Sequence, residues 1–251
     1  MPVVLIEKQT PQIAVLTLNR PERRNALTIE LLNELVAAIR VVSDEPHERV
    51  LILRGAGAAF CAGLDLKTTQ NAQATAEMVA KTLVALSQTR LITIAAVHGA
   101  AVAGGAGIMS ACDFVVAAEG TKIGYPEVRR GLVAGLVMTF LRRQVRERDF
   151  RELLLAGELI DATRARDVGL VNRVVAPDDL MKEAHAFADS VLQGAPGVLS
   201  QTKKLIEELS STSVKEDIDL ALKYHMNARD SAEAREGIAA FNEKRRPNWA
   251  S

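Results

Sequence analysis

The stretch AVHGAAVAGGAGIMSACDFVVAAEG, residues 96–120, decides how the chain is read. It joins two apolar runs, LITIAAV (91–97) and DFVVAA (113–118), through residues that are mostly Ala and Gly. Both runs are apolar at successive positions, as strands inside a sheet covered on both faces must be. Between them the chain reaches Gly104 and Gly105, and a short helix is expected to start there. No nucleophile motif lies in the stretch, so any chemistry here belongs to the backbone. A helix N-terminus presents unpaired N–H groups at the positive end of its dipole. Glycine lets a ligand come close to them.

AAFCAGLDLK (58–67) repeats the design: an apolar segment reaches Gly63, and a helix is expected from Leu64 or Asp65. Two such termini facing one point form a main-chain oxyanion hole, in which each donor is worth roughly 3 kcal/mol. The plainer alternative is close helix–strand packing, which uses the same small residues. Neither segment is a dinucleotide fingerprint, since GAGAAF lacks the final glycine, and no Gly-Lys-Ser/Thr phosphate loop occurs.

Outward from this centre, IAVLTLNRP (13–21) reads as a strand stopped by proline. LTIELLNELVAAIRVVSDEP follows as a helix that Thr28 can cap, with Ile29, Leu32, Leu35, Val36 and Ile39 on one face. RVLILRGAG and GLVNRVVAP read as further strands, and DFVVAAEGTKIG as one short strand. Strand and helix alternate over about the first 175 residues, the mark of a layered α/β domain. After Pro177 four helical segments follow in a row, a C-terminal helical appendage.

A length of 251 residues suits one large domain or one domain with an appendage. Aromatic residues are only 4%, so the core is built from Ala, Val, Leu and Ile. Lys and Arg (31) balance Asp and Glu (31), which gives no electrostatic case for nucleic acid or for a membrane surface. No window approaches ~18 uninterrupted apolar residues, and the N-terminus lacks a basic leader, so a cytoplasmic location is expected. Cys61 and Cys112 have no metal-ligand spacing and read as buried free thiols; no metal site is expected.

Five segments occur in order: LNRPERRNALT, GAGAAFCAGLDLK, AVHGAAVAGGAGIMSACD, GYPEVRRGL and SAEAREGIAAFNEKRRP. The series resembles the crotonase superfamily, the enoyl-CoA hydratase/isomerase family, over nearly the whole chain. The resemblance implies a spiral of ββα repeats over residues 1–194, which binds acyl-CoA and carries catalysis. It implies a C-terminal helical trimerisation region over 195–251, with homo-trimers or hexamers. Substrates would be acyl-CoA thioesters, coenzyme A being part of the substrate and no separate cofactor being needed.

Carried over by position, the backbone N–H groups of Leu64 and Gly104 would form the oxyanion hole. Arg23, Arg24 and Ala26, in RRNAL, fall on the CoA-contacting loop, and Ala62, Gly63 and Asp65 flank the first donor. The two arginines read equally as partners of CoA phosphates or as solvated surface charges. Asp65 also reads as the cap of the expected helix. Phe241 and Lys244, in FNEK, match positions that reach the CoA of a neighbouring subunit in relatives. His98 reads as a loop or core histidine.

The family's hydratases use two glutamates. The first would stand where this chain has Gly107; the second is present as Glu127 in GYPEV. Spacing alone would make Glu127 a turn residue after Pro126. Beside an apolar thioester pocket its pKa would rise toward neutrality, which suits proton exchange with carbon. One carboxylate can take a proton from one carbon and return it to another, so double-bond isomerisation of an enoyl-CoA is the first reading. The alternatives are hydration, with Tyr125, Tyr224 or water replacing the missing acid, and a catalytically weak CoA-binding or scaffold role. Ala103, Ala106 and Gly107 are small, and GLVAGLV stands where relatives have Pro-Gly. Added volume for a bulky or aromatic acyl group is therefore expected.

Overall fold

Alternate residues of the central strands point to opposite faces, and helices bury both. The computed structural model describes residues 1–66, 72–210 and 213–250. The strands are β1 (Val4–Thr10), β2 (Ile13–Leu18), β3 (Val50–Gly55), β4 (Ile92–Val97), β5 (Ala100–Val102), β6 (Phe114–Ala118), β7 (Lys122–Gly124), β8 (Ile160–Asp161) and β9 (Arg173–Val175). The helices are α1 (Ile29–Asp44), α2 (Ala72–Gln88), α3 (Gly104–Ser110), α4 (Gly135–Gln144), α5 (Glu147–Arg151), α6 (Ala162–Asp167), α7 (Leu180–Leu192), α8 (Pro196–Glu208), α9 (Val214–Arg229) and α10 (Ala232–Glu243).

Six strands form one sheet in the order β1-β2-β3-β4-β6-β9, parallel except for the β1–β2 pair. Leu16, Leu53, Ala95 and Ala117 face the core made with Leu32 and Leu35 of α1 and Leu83 of α2. Their neighbours Val15, Ile52, Ile94 and Val116 face Ala184 and Ala188 of α7. This two-sided burial is why the strands read as unbroken apolar runs. A second sheet, β5-β7-β8, takes the next strand of each turn. The chain thus runs β4, β5, α3 and then β6, β7, which is the expected ββα spiral. In the preceding turn Cys61 bridges Ala101 and stands in for the second strand.

Thr28 caps α1 as read, its side chain accepting from the Leu31 N–H. The four C-terminal helical segments appear as α7 to α10, and α9 lies along α4 and α2. Cys61 and Cys112 are buried and free, and burial pushes each thiol pKa up to about 12. Among the described residues, no helix is long and apolar enough to cross a membrane.

Three local readings are corrected. DFVVAAEGTKIG makes two strands, β6 and β7, split by a turn at Gly120. β1 carried no sequence signal because only Val4 of its seven residues is buried; it exists by antiparallel pairing with β2. No helix begins at Leu64 or Asp65. Leu27 donates its N–H to the Gly63 carbonyl (2.8 Å) and accepts from the Asp65 N–H (3.0 Å), so the backbone there is used in a parallel bridge. The described helix starts at Ala72, and residues 67–71 lie outside the described part. The reading of Asp65 as a cap falls on residues outside the described part; Asp65 itself faces Arg20 at 3.5 Å.

The RRNAL loop is clasped by Asn25, which is fully buried. Arg24 and Asn25 both have positive φ (50° and 54°), which turns the Asn25 side chain inward. Its Oδ1 accepts from the Arg20 N–H (2.8 Å), and its Nδ2 donates to the carbonyls of Ala56 (2.9 Å) and Ala59 (2.8 Å). Asn25→Ala would leave those three groups unpaired and is expected to cost roughly 3 kcal/mol in urea unfolding. A loss under about 1 kcal/mol would mean the loop is held by something else.

Candidate active site

The Leu27 bridge sets the direction of one amide. Leu27 bonds to the residues on either side of Leu64, so the N–H of Leu64 itself points away from Leu27. On that side lies the start of α3. A methyl placed on Gly63 would sit 3.6 Å from the Gly104 nitrogen, and one on Gly104 would sit 4.0 Å from the Leu64 nitrogen. The two amides are thus side by side. Gly104 is the first residue of its helix, where N–H groups have no helical acceptor. Among the described residues, neither N–H donates to a protein acceptor.

Two backbone positions with positive φ hold this arrangement. Gly63 has φ +92°, and a Cβ there would lie 2.8 Å from the Val102 carbonyl oxygen. Ala103 has φ +52° although it is not glycine, and it turns the chain sharply from β5 into α3. Its N–H is tied to the Gly124 carbonyl at 2.9 Å. Such a residue costs of order 1–3 kcal/mol and persists only where its surroundings fix it.

Both donors line a pocket with Glu127, which lies in the 3-10 turn Pro126–Arg130 and is only 8% exposed. Burial pushes its carboxyl pKa up to about 7, against weaker lowering by its own backbone N–H and by Arg130. Its Oε2 is buried without a hydrogen-bond partner. The rest of the wall is largely apolar, with Leu66, Val79, Leu136 and Val137 among its members. Free space is about 70 Å³, enough for a group of a few atoms.

The place of the missing acid is occupied. A Cβ on Gly107 would meet Val137 Cγ1 at 2.4 Å and Val137 Cβ at 2.9 Å. Val137 comes from α4, which packs on α3 at this point. The added volume expected beside Gly107 is therefore absent, because the GLVAGLV segment that replaces Pro-Gly brings Val137 into it.

A groove of about 400 Å³ opens beside the pocket, sharing Ala62, Leu64, Leu66 and Phe241 with it. Arg23, Arg24, Ala26, Asp65 and Lys244 also border it. The structure thus brings together the positions separately read as CoA contacts, with Gly63 behind them in the bridge. Phe241 and Lys244, at positions that reach a neighbouring subunit's CoA in relatives, border this chain's own groove. The reason is a close approach: a Cβ on Gly237 of α10 would lie 2.3 Å from the Arg130 carbonyl oxygen. Arg130 also lies 4.4 Å over the Phe241 ring.

The tyrosines do not join the site. Tyr125 is fully buried, with its hydroxyl 2.8 Å from Ser110 Oγ, and burial raises its pKa. Tyr224 is 60% exposed on the outer side of α9. Its neighbour His225 lines the pocket instead, buried, with Nδ1 3.3 Å from the Val133 carbonyl. That carbonyl can only accept, so Nδ1 carries the proton and Nε2 is left as an acceptor. Burial lowers the His225 pKa and favours this neutral form. His225 escaped the sequence reading, although the inward row Ile218, Ala221, Leu222, Met226 has helical spacing that includes it. His98 is a loop residue whose Nε2 lies 2.8 Å from the Gly57 carbonyl.

Residues 8–251 match the family described as enoyl-CoA hydratase/isomerase. A Thermus thermophilus protein provisionally named an enoyl-CoA hydratase is 38% identical, covering 98% of this chain and all of the relative. A crotonyl-CoA hydratase of Syntrophomonas wolfei is 36% identical over 99% of this chain and 98% of its own. The crystal structure of an enoyl-CoA hydratase from Mycobacterium avium superposes with a TM-score of 0.88 at 33% identity, covering 99% of each chain.

Two stability measurements check this geometry. Gly107→Ala should cost about 1–3 kcal/mol by overpacking against Val137, despite alanine's helix preference. Val137→Ala should cancel most of that cost; additive losses would mean the two positions do not touch. For Glu127 the folded pKa of about 7 exceeds the ordinary 4.5, so the folded state holds the proton more tightly. Wild-type stability then falls as pH rises from about 4.5 through about 7. Glu127→Gln removes that fall, so its stability relative to wild type should climb over this window to at most about 3 kcal/mol. A pH-independent difference would place the carboxyl in water.

Proposed function

The chain belongs to the enoyl-CoA hydratase/isomerase family, of the crotonase superfamily, and on that premise we propose that it moves the double bond of an enoyl-CoA. A 3-enoyl thioester enters with its carbonyl oxygen at the N–H groups of Leu64 and Gly104. Ionised Glu127 takes a proton from C2. The C2–H electrons pass into the conjugated system, and the negative oxygen is held by the two amides. The protonated Glu127 then delivers its proton to C4, giving the 2-enoyl thioester and returning to the carboxylate. Nothing is consumed, and one acid serves both transfers.

The observation that carries this reading is the side chain of Val137 in the space beside Gly107. It leaves Glu127 as the only carboxylate among the pocket's described residues. Arg23, Arg24 and Lys244 suit the phosphates of CoA along the groove. Val198, Leu205, Ile206 and Leu209 of α8 and its end leave an exposed apolar row, which suits assembly into a homo-trimer or hexamer.

Hydration is the second reading, favoured by His225. Its anchored Nδ1 leaves Nε2 as an acceptor at the pocket wall, where it can orient a water. Relatives named as hydratases point the same way.

Incubation with 3-enoyl- and 2-enoyl-CoA in heavy water separates the two. Isomerisation with deuterium exchange at C2 or C4, and no 3-hydroxyacyl-CoA, is expected. Glu127→Gln should lower kcat by about 10²–10⁴-fold. Because the ionised form takes the proton, kcat/KM for isomerisation should rise with pH and level off above about 7. Hydration that is lost in His225→Ala would replace the first reading with the second. Binding of CoA with no turnover of either thioester would remove both.

A further inference from the structure

Arg130 ends the same 3-10 turn that carries Glu127, and its side chain forms part of the pocket wall. Phe241 holds the guanidinium at 4.4 Å from its ring centroid. The side chain is half-buried, and burial lowers its pKa, yet a guanidinium stays charged in any protein setting. Among the described residues, no carboxylate lies within ion-pair distance of it, and none of its N–H groups has a hydrogen-bond acceptor. Glu127 is the carboxylate whose charge reaches Arg130 and raises its pKa against burial, but the two make no ion pair or hydrogen bond, and Glu127 Oε2 is left without a partner. A fixed cation without a directly bonded partner therefore stands in a wall that is otherwise apolar apart from Glu127 and His225.

An alkyl chain filling this pocket would strip water from that cation and return nothing, a penalty that selects against a plain hydrocarbon acyl group. A carboxylate would pair with it, in the forked geometry a guanidinium favours. Resting on the acyl-CoA reading of this pocket, the geometry points to Arg130 as the specificity residue for an acyl group that ends in a carboxylate. The substrate class is then the mono-CoA thioester of a short unsaturated dicarboxylic acid. Short follows from the free volume of about 70 Å³. The CoA phosphates are a different anion, and the groove offers them Arg23, Arg24 and Lys244.

Binding of two saturated five-carbon ligands tests this without requiring any reaction. Glutaryl-CoA ends in a carboxylate and valeryl-CoA in a methyl group. By calorimetry, the wild type should bind glutaryl-CoA at least about tenfold more tightly than valeryl-CoA. Arg130→Gln should reverse the order, Arg130→Lys should keep part of the preference, and free CoA should bind all three proteins alike. Equal or tighter wild-type binding of valeryl-CoA overturns the assignment while leaving the acyl-CoA reading intact. A matched loss of both ligands and of free CoA in Arg130→Gln, with the fold retained by circular dichroism, would assign Arg130 to the coenzyme instead. Failure of the wild type to bind either thioester would sink the acyl-CoA reading itself. Should Arg130→Gln not fold, the wild-type comparison and Arg130→Lys still decide the matter.

Discussion

The parallel bridge between Leu27 and Leu64 is the constraint on which the rest of the site depends. A backbone segment in a bridge has its N–H groups directed alternately to the two sides. Once Leu27 takes the groups flanking Leu64, the Leu64 amide must face the other way, toward the first turn of α3. The second amide, that of Gly104, is free because helices begin with unpaired donors. Neither side chain matters to the pairing. What matters is that the segment after Cys61 and the turn into α3 approach closely enough; Gly63 takes its positive φ freely, and the positive φ of Ala103 is the strain stored in that approach. The clasp at Asn25 holds the loop before Leu27 and so keeps the bridge in register.

Around this centre the C-terminal helices do more than cover the core. α9 lies on α4 and α2 and sends His225 into the pocket, and α10 sits on the turn that bears Glu127 and Arg130. The contact between Gly237 and the Arg130 carbonyl leaves no room for a side chain, so α10 is seated against the turn that bears Glu127 rather than beside it. Phe241 follows from that seating and borders pocket and groove together. A single chain thereby supplies every wall named here.

Gly107 and Val137 illustrate how a missing group and a present one form a single feature. Read singly, Gly107 is an empty position and Val137 an ordinary helix residue. In space, one side chain occupies the volume the other gave up. Close packing requires this, because an apolar void of that size would be costly. The result is a pocket with one acid and one cation from a single 3-10 turn and one neutral imidazole from α9.

The sequence by itself determined the layers. Apolar residues at successive strand positions require two covers, and those covers are α1 with α2 on one side and α7 on the other. It also determined the start of α3 at Gly104 and the family, since these rest on local pattern and ordered motifs, and it singled out Glu127 as the candidate acid. Tertiary structure alone decided the direction of the Leu64 amide, the filling of the space at Gly107, and the seating of Phe241 on its own chain. The physical reason is range. Strand alternation, helix starts and the inward row of α9 that includes His225 are settled by neighbours along the chain, whereas these three outcomes depend on how elements far apart in sequence dock, and no local pattern encodes that distance.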